Sequence, residues 1–303
     1  MLSISVVTPN FNHGRYLRAA IDSIVGQNYP KLEYVIVDGG STDDSVEIIK
    51  SYADRLAWWV SEKDAGIADA INKGFAHTRG EIMAWLGADD MYVPWTFRIV
   101  SEIFEAFPDV DWIKGYHLDW SDKGALGIMY DLTPQHHRCN RFDYLLPGNY
   151  VFIQQESMFW RRRLWEKVGN KLSVDARWPL AFDTELFGRF FQHARLTHVE
   201  TVLGGARVHR DRRCLRGWDD YQQQADAFRR DALAHCPARE RRWAKAYQWL
   251  RRQRWIPTGV SRVILRALGN DLYRAAAYDV IRYDWWSGGQ WQRRQEPVIL
   301  RCR

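Results

Sequence analysis

Cysteine is scarce in this chain of 303 residues: Cys139, Cys214, Cys236 and Cys302 stand far apart and form no CxxC pair. That spacing excludes a disulfide framework and fits a reduced, cytosolic protein. Long apolar runs are missing as well. No stretch reaches the roughly 18 residues that would mark a membrane span. The chain enters an apolar strand within a few residues, with no basic segment before it, so no secretory leader is expected. Internal repeats and low-complexity segments are absent. His136, His137 and Cys139 lie close together, but their spacing matches no common zinc-ligand pattern.

What the chain does have is a high apolar content, 46%, which allows a sizeable core in one large or two modest domains. Its 16 Trp can fill that core, stack on sugars or bases, or contact lipid. The formal net charge of +6 is unevenly spread, with arginine crowding the region after Arg207. Such a basic stretch suits acidic partners: phosphates, anionic lipid headgroups or nucleic acid. No nucleic-acid motif accompanies it.

Residues 1–114 alternate strand and helix patterns. Strands are expected at Ile4–Thr8, Leu32–Val37, Leu56–Val60, Ile82–Leu86 and Val110–Ile113. Between them, Leu17, Ala20, Ile21 and Ile24 recur at helical spacing, a second helix opens after Ser41, a third covers Ile67–Ala76, and a fourth runs from Pro94 to near Pro108. This is the pattern of βαβ units and a mostly parallel sheet. Right-handed crossovers would bring the strand ends to one edge, where ligands bind in open α/β sheets. Asn10, Asp38, Glu62, Asp64 and Asp89-Asp90 would all gather there.

Asp89-Asp90 is the most informative of these features. Adjacent carboxylates after a buried strand are hard oxygen ligands, suited to Mg²⁺ or Mn²⁺ bridging to phosphate. Taken alone, the pair also fits a solvated turn capping the helix near Pro94. Asp38-Gly39-Gly40-Ser41-Thr42-Asp43 opens a helix after a strand, where glycines admit a ligand and a helix N-terminus favours anions. Asp64 and Gly66 mark another helix entry, with Asp69 and Lys73 four apart beyond it. Further on the pattern is less regular. A hairpin is expected around Lys123-Gly124, a short helix and loop at Phe142–Gly148, and helices at Arg162–Val168 and about Asp183–Gln192. After Tyr221 the chain reads as helices only.

The ordered blocks Thr8-Pro9-Asn10-Phe11-Asn12, Gln27-Asn28-Tyr29-Pro30, Val37 to Asp43, Glu62 to Gly66, Asp69 to Gly74 and Ala88-Asp89-Asp90 resemble the family 2 glycosyltransferases. The resemblance is dense over roughly the first 100 residues and thinner to about residue 210. It implies an inverting enzyme of GT-A fold: an α/β, mostly parallel sheet flanked by helices with a Rossmann-like nucleotide-binding half. On this reading residues 1–212 form the catalytic domain, 1–114 binding the nucleotide-sugar and 115–212 the acceptor, and residues 213–303 form a helical extension.

The resemblance also implies roles. Thr8, Asn10 and Asp38 would hold the nucleoside, and Asp64, Gly66 and Lys73 the nucleotide-sugar. Asp89 would lie toward sugar and ribose, and Asp90 would bind the metal. Many members carry a second aspartate where this chain has Gly39. Gln154 to Arg162, with Gln155 and Glu156, resembles the acceptor-side block. Phe182-Asp183-Thr184-Glu185 resembles the block that supplies the base, with Asp183 at the base position and Glu185 as the alternative. Leu203 to His209 resembles the stretch that closes the domain. There Arg207 would assist the phosphates, and His209 would reach metal or phosphate or serve structurally. Inverting transfer needs a carboxylate to take the acceptor proton and a second, separate group to neutralise the departing diphosphate.

The implied partners are a nucleotide-sugar donor, a divalent metal, and a glycan or lipid-linked oligosaccharide acceptor of cell-surface polysaccharide synthesis. Arg and Trp on the extension suit peripheral contact with the inner face of the cytoplasmic membrane. Packing on the catalytic domain explains them equally well. A GT-A protein that has lost catalysis and acts in membrane-associated assembly is the alternative function, supported by Gly39 and Phe182.

Overall fold

The structure, a computed structural model, describes residues 1–129, 138–146, 153–174, 177–210, 217–253, 255–286 and 288–298. His136, His137, Arg212, Arg213, Cys214, Arg216, Cys302 and the expected boundary at residue 212 lie outside them.

Strand β1 (Ile4–Asn10) is buried along its length and pairs in parallel with β2 (Leu32–Asp38) and β4 (Ile82–Trp85). β3 (Trp58–Ser61) continues the parallel series beside β2. The sequence expectation stopped the first strand at Pro9, yet the strand runs through it. The β1–β4 ladder ends at Val7–Trp85, so the amide hydrogen that proline lacks falls where no β4 partner remains.

Helices α1 (Gly14–Val25), α2 (Ser45–Ser51), α3 (Ile67–Ala76) and α4 (Thr96–Ala106) fill the crossovers. In α1, Leu17, Ala20, Ile21 and Ile24 are buried together, as their spacing requires. β6 (Trp112–Lys114), β9 (Met158–Arg161) and β10 (Thr197–Val199) extend the sheet, with β9 antiparallel to both β4 and β6. A smaller sheet joins β5 (Met91–Tyr92), β11 (Gly204–Arg207), β7 (Leu118–Trp120) and β8 (Leu126–Met129). Gly124, at φ +78°, makes the expected turn between β7 and β8. The fold is therefore the expected α/β, mostly parallel, helix-flanked architecture.

Three further helices, α5 (Arg141–Leu145), α6 (Arg162–Lys167) and α7 (Phe182–His193), contribute buried residues to a core shared with the large sheet. Trp85, Trp112, Trp160, Trp165 and Trp243 are buried in the core. Trp112 and Trp160 are completely enclosed, and Trp112 packs edge-on against Phe190 and Phe191 of α7. Truncating either to Ala would destabilise by about 3–5 kcal/mol.

The C-terminal region contains α8 (Trp218–His235), α9 (Ala238–Arg252), α10 (Thr258–Leu268) and α11 (Asn270–Ala275). It also contains two strands absent from the sequence reading. β12 (Tyr278–Asp284) pairs in parallel with β10, and β13 (Gln290–Glu296) closes the edge of a nine-stranded sheet. Buried Asp143 of α5 fastens this region. It accepts hydrogen bonds from Tyr247 (2.7 Å), Tyr278 (2.7 Å) and Arg251 (2.5 Å). Among the described residues no helix is long and apolar enough to cross a membrane.

Candidate functional site

The ends of β1 to β4 meet at one edge. At the end of β2, buried Asp38 accepts from Asn10 Nδ2 (2.6 Å), the Ser41 amide (3.0 Å) and hydroxyl (2.5 Å), and Ser61 Oγ (2.6 Å). Burial alone would raise its pKa, but these donors, Ser41 and Ser61 first, outweigh it and leave the carboxyl below its ordinary value. Thr8 is fully buried, and its hydroxyl accepts from Tyr34 at 3.1 Å. Asp64 accepts from the Gly66 amide at 2.8 Å, and Gly66 has φ +112°. A Cβ on Gly39 would come 2.8 Å from Asp64 Oδ2, so the Asp64 carboxylate occupies the space beside that glycine. Lys73 pairs with Glu62 (3.0 Å) and Asp69 (3.4 Å).

After β4 the chain reverses at Gly87, and Asp89 and Asp90 fold back over it. A Cβ on Gly87 would lie 2.6 Å from Asp90 Oδ2 and 2.9 Å from Asp89 Oδ1, so only glycine leaves room for both carboxylates. The two carboxylates then part. Asp90 Oδ1 accepts the Arg207 amide of β11 at 2.9 Å. Asp89 Oδ2 meets His209 Nε2 at 2.9 Å and lies 3.9 Å from His13 Nε2. One ligand atom from each of His13, Asp89 and His209 fits within a 4.8 Å cluster. The sequence reading named Asp90 and His209 as the metal ligands. The structure gathers Asp89 and His13 around His209, and Asp90 turns one oxygen to the backbone.

His13 escaped the sequence reading because it sits in a loop of Phe, Asn and Gly with no metal-ligand spacing. Its Nδ1 donates to the Phe11 carbonyl at 2.9 Å, which orients the ring with Nε2 on the side of Asp89. The His209 ring packs on Tyr16 at 4.4 Å, and its buried Nδ1 has no hydrogen-bond partner. Burial would raise the Asp89 pKa, but the His209 hydrogen bond and the charge of His13 hold it below the ordinary carboxylate value. Arg207 donates from Nε to the Asp89 carbonyl (2.7 Å), and its guanidinium lies 5.1 Å from the Tyr16 ring.

Asp89, Asp90, Gln155, Glu156, Phe182 and Asp183 line one cleft. Thus residues far apart in sequence come together here. Gln155 presents a buried Oε1 with no hydrogen-bond partner. Its neighbour Gln154 is spent on structure, bridging the Leu118 amide and carbonyl at 2.9 and 2.8 Å. Asp183 stands in the first turn of α7, accepting from the Thr184 amide at 2.7 Å and facing the Tyr221 hydroxyl at 3.3 Å. Enclosure by protein pushes its pKa up to about 6, and the Thr184 and Tyr221 bonds only partly oppose this. Glu185 is elsewhere. It pairs with Arg189 at 2.7 and 2.8 Å and is not among the residues lining the cleft. Tyr221, also missed from sequence, had no signal beyond its position in a helical pattern.

Residues 5–169 match the sequence model of the family described as Glycosyl transferase family 2. An uncharacterized glycosyltransferase of Rickettsia typhi is 26% identical over 207 residues, covering 68% of this chain and 64% of the relative. The chain thus spans less than two thirds of that relative's length. Among solved structures, Staphylococcus aureus TarS 1–349 in complex with UDP superposes with TM-score 0.60 at 17% identity, covering 90% of this chain and 81% of that one. The mannosyltransferase PcManGT of Pyrobaculum calidifontis, in complex with GDP-Man and Mn²⁺, gives TM-score 0.55 at 19% identity, covering 77% and 74%. At these identities the structural likeness speaks to fold.

Proposed function

The chain belongs to glycosyl transferase family 2, and from that premise we propose that it moves a sugar, with inversion, from a nucleoside-diphosphate donor to a hydroxyl of a glycan or lipid-linked acceptor in cell-surface polysaccharide synthesis. The observation that carries this is the one cleft that Asp89, Asp90 and Asp183 all line.

Asp183 takes the proton of the attacking hydroxyl. With a pKa of about 6 it is ionised at neutral pH yet basic enough to accept the proton as the new bond forms. Tyr221 holds its orientation. Gln155 and Glu156, which line the same cleft, orient the acceptor. On the donor side Asn10, Asp38 and Asp64 hold the nucleoside, with Gly66 giving the phosphates access to the α3 N-terminus. Lys73 keeps Glu62 in place beside them, and Arg207 adds positive charge near the diphosphate.

His13, Asp89 and His209 would hold a divalent ion. The mixed nitrogen and oxygen set favours Mn²⁺ over Mg²⁺, which prefers oxygen alone. Bound there, the ion would neutralise charge growing on the leaving diphosphate. Asp90 positions β11, and with it His209, through the Arg207 amide. Peripheral attachment at the inner face of the cytoplasmic membrane would bring the cleft to a lipid-linked acceptor. The test is turnover of UDP-, GDP- and dTDP-sugars with and without Mn²⁺. One of them should release its nucleoside diphosphate in an Asp183-dependent manner, and no release from any would remove the proposal.

A further inference from the structure

Helix α10 turns an apolar side to solvent. Its inner side is Ser261 and Leu265, both buried, with the Leu265 carbonyl accepting from Trp243 Nε1 of α9 at 3.0 Å. Val260, Val263, Ile264 and Leu268 are 49, 64, 37 and 51% exposed. At about 100° per residue these four share one continuous sector, and Arg262 and Arg266 lie between that sector and the buried side. A globular protein ordinarily turns such a stripe inward. Just before the helix, Trp255 is 76% exposed. The exposed side of α9 carries Arg242, Lys245, Trp249 and Arg252.

We infer that the outer face of α10, with Trp255 and the basic side of α9, is a docking surface for anionic lipid headgroups. Apolar side chains at the acyl boundary, exposed tryptophan at headgroup level and arginine along the edge are what an interfacial helix needs. Charge selects this occupant over a second copy of the chain. An isologous contact would set the same arginines against each other, whereas anionic lipid neutralises them. This surface deepens the membrane placement proposed above and rests on that placement alone, independent of the transfer chemistry.

The test is cosedimentation of the full chain with vesicles of phosphatidylcholine, with and without about 30% phosphatidylglycerol. Binding to the anionic vesicles should exceed binding to neutral ones by about tenfold at low salt and fall as salt rises. Val263→Asp and Leu268→Asp should each reduce it by about tenfold, while nucleotide binding stays unchanged. Val263→Ser and Ile264→Ser serve if either Asp variant loses its thermal transition. Binding that ignores lipid charge, no binding at all, or variants that sediment like the parent would each overturn the inference. So would a dimer in light scattering that Val263→Asp converts to monomers. Because nucleotide binding is read on the same samples, failure here is separable from failure of the proposed activity.

Discussion

Asp183→Asn should silence the enzyme and stabilise it in the same step. The wild-type carboxyl has a pKa of about 6 against an ordinary 3.8. A raised pKa means that the folded state favours the protonated form. The stability linked to that proton is complete below about pH 4 and is lost as pH rises through about 6. At about 1.36 kcal/mol per pKa unit, a shift of roughly two units makes the ionised form about 3 kcal/mol less favourable in the fold above pH 7. Asparagine carries no charge, and its oxygen can still accept the Thr184 amide. The variant should therefore melt higher than wild type at pH 7.5, by a few degrees for a gain of about 1–3 kcal/mol, and this advantage should vanish near pH 4.5. Its turnover should fall by about 10²–10⁴-fold, the contribution of a general base, and wild-type turnover should rise with pH through about 6. Scanning calorimetry at the two pH values with a nucleotide-release assay checks both. A variant with normal turnover, or a stability gain that does not change with pH, would refute the reasoning.

Glu185→Gln should leave turnover within about twofold, because that carboxylate serves Arg189, and should lower stability by no more than about 1 kcal/mol by thermal melt. Gly87→Ala forces a methyl group against both aspartates and should weaken Mn²⁺-dependent nucleotide binding by about 10–100-fold in calorimetry. His13→Ala should weaken Mn²⁺ binding by a similar factor, with nucleotide affinity in the absence of metal unchanged. Asp143→Ala strips the partners from Tyr247, Tyr278 and Arg251 in a buried setting, and chemical denaturation should register a loss of about 3–5 kcal/mol.

The first half of the fold was legible because each element carries its own local signal. Leu17, Ala20, Ile21 and Ile24 declare a helix face, and the apolar runs Val35–Val37 and Ile82–Trp85 declare strands buried on both sides. The gathering of Asn10, Asp38 and Asp89-Asp90 followed from handedness alone. β13 was hidden for the opposite reason, whereas Tyr278–Asp284 of β12 carries β-forming Tyr, Val and Ile that the helical reading passed over. Gln290–Glu296 is an edge strand of almost wholly polar residues, so no alternation of apolar and polar positions marks it. The resemblance had already put the proposed base at Asp183 with Glu185 as the alternative, and tertiary structure adds their surroundings. Asp183 and Glu185 sit two apart on one helix, and only packing shows that one faces the cleft and the other Arg189. His13 was invisible because the cluster it forms with Asp89 and His209 is drawn from the loops after β1, β4 and β11, which have no common spacing to read.

We propose a metal-assisted nucleoside-diphosphate site with a separate base in the same cleft. Calorimetric titration of UDP, GDP and dTDP into the protein, with and without Mn²⁺, tests it most directly. At least one nucleotide should bind more tightly with Mn²⁺, Asp89→Ala should abolish that enhancement, and Asp183→Asn should preserve it. Binding indifferent to both Mn²⁺ and Asp89, or no binding of any nucleotide, would contradict it.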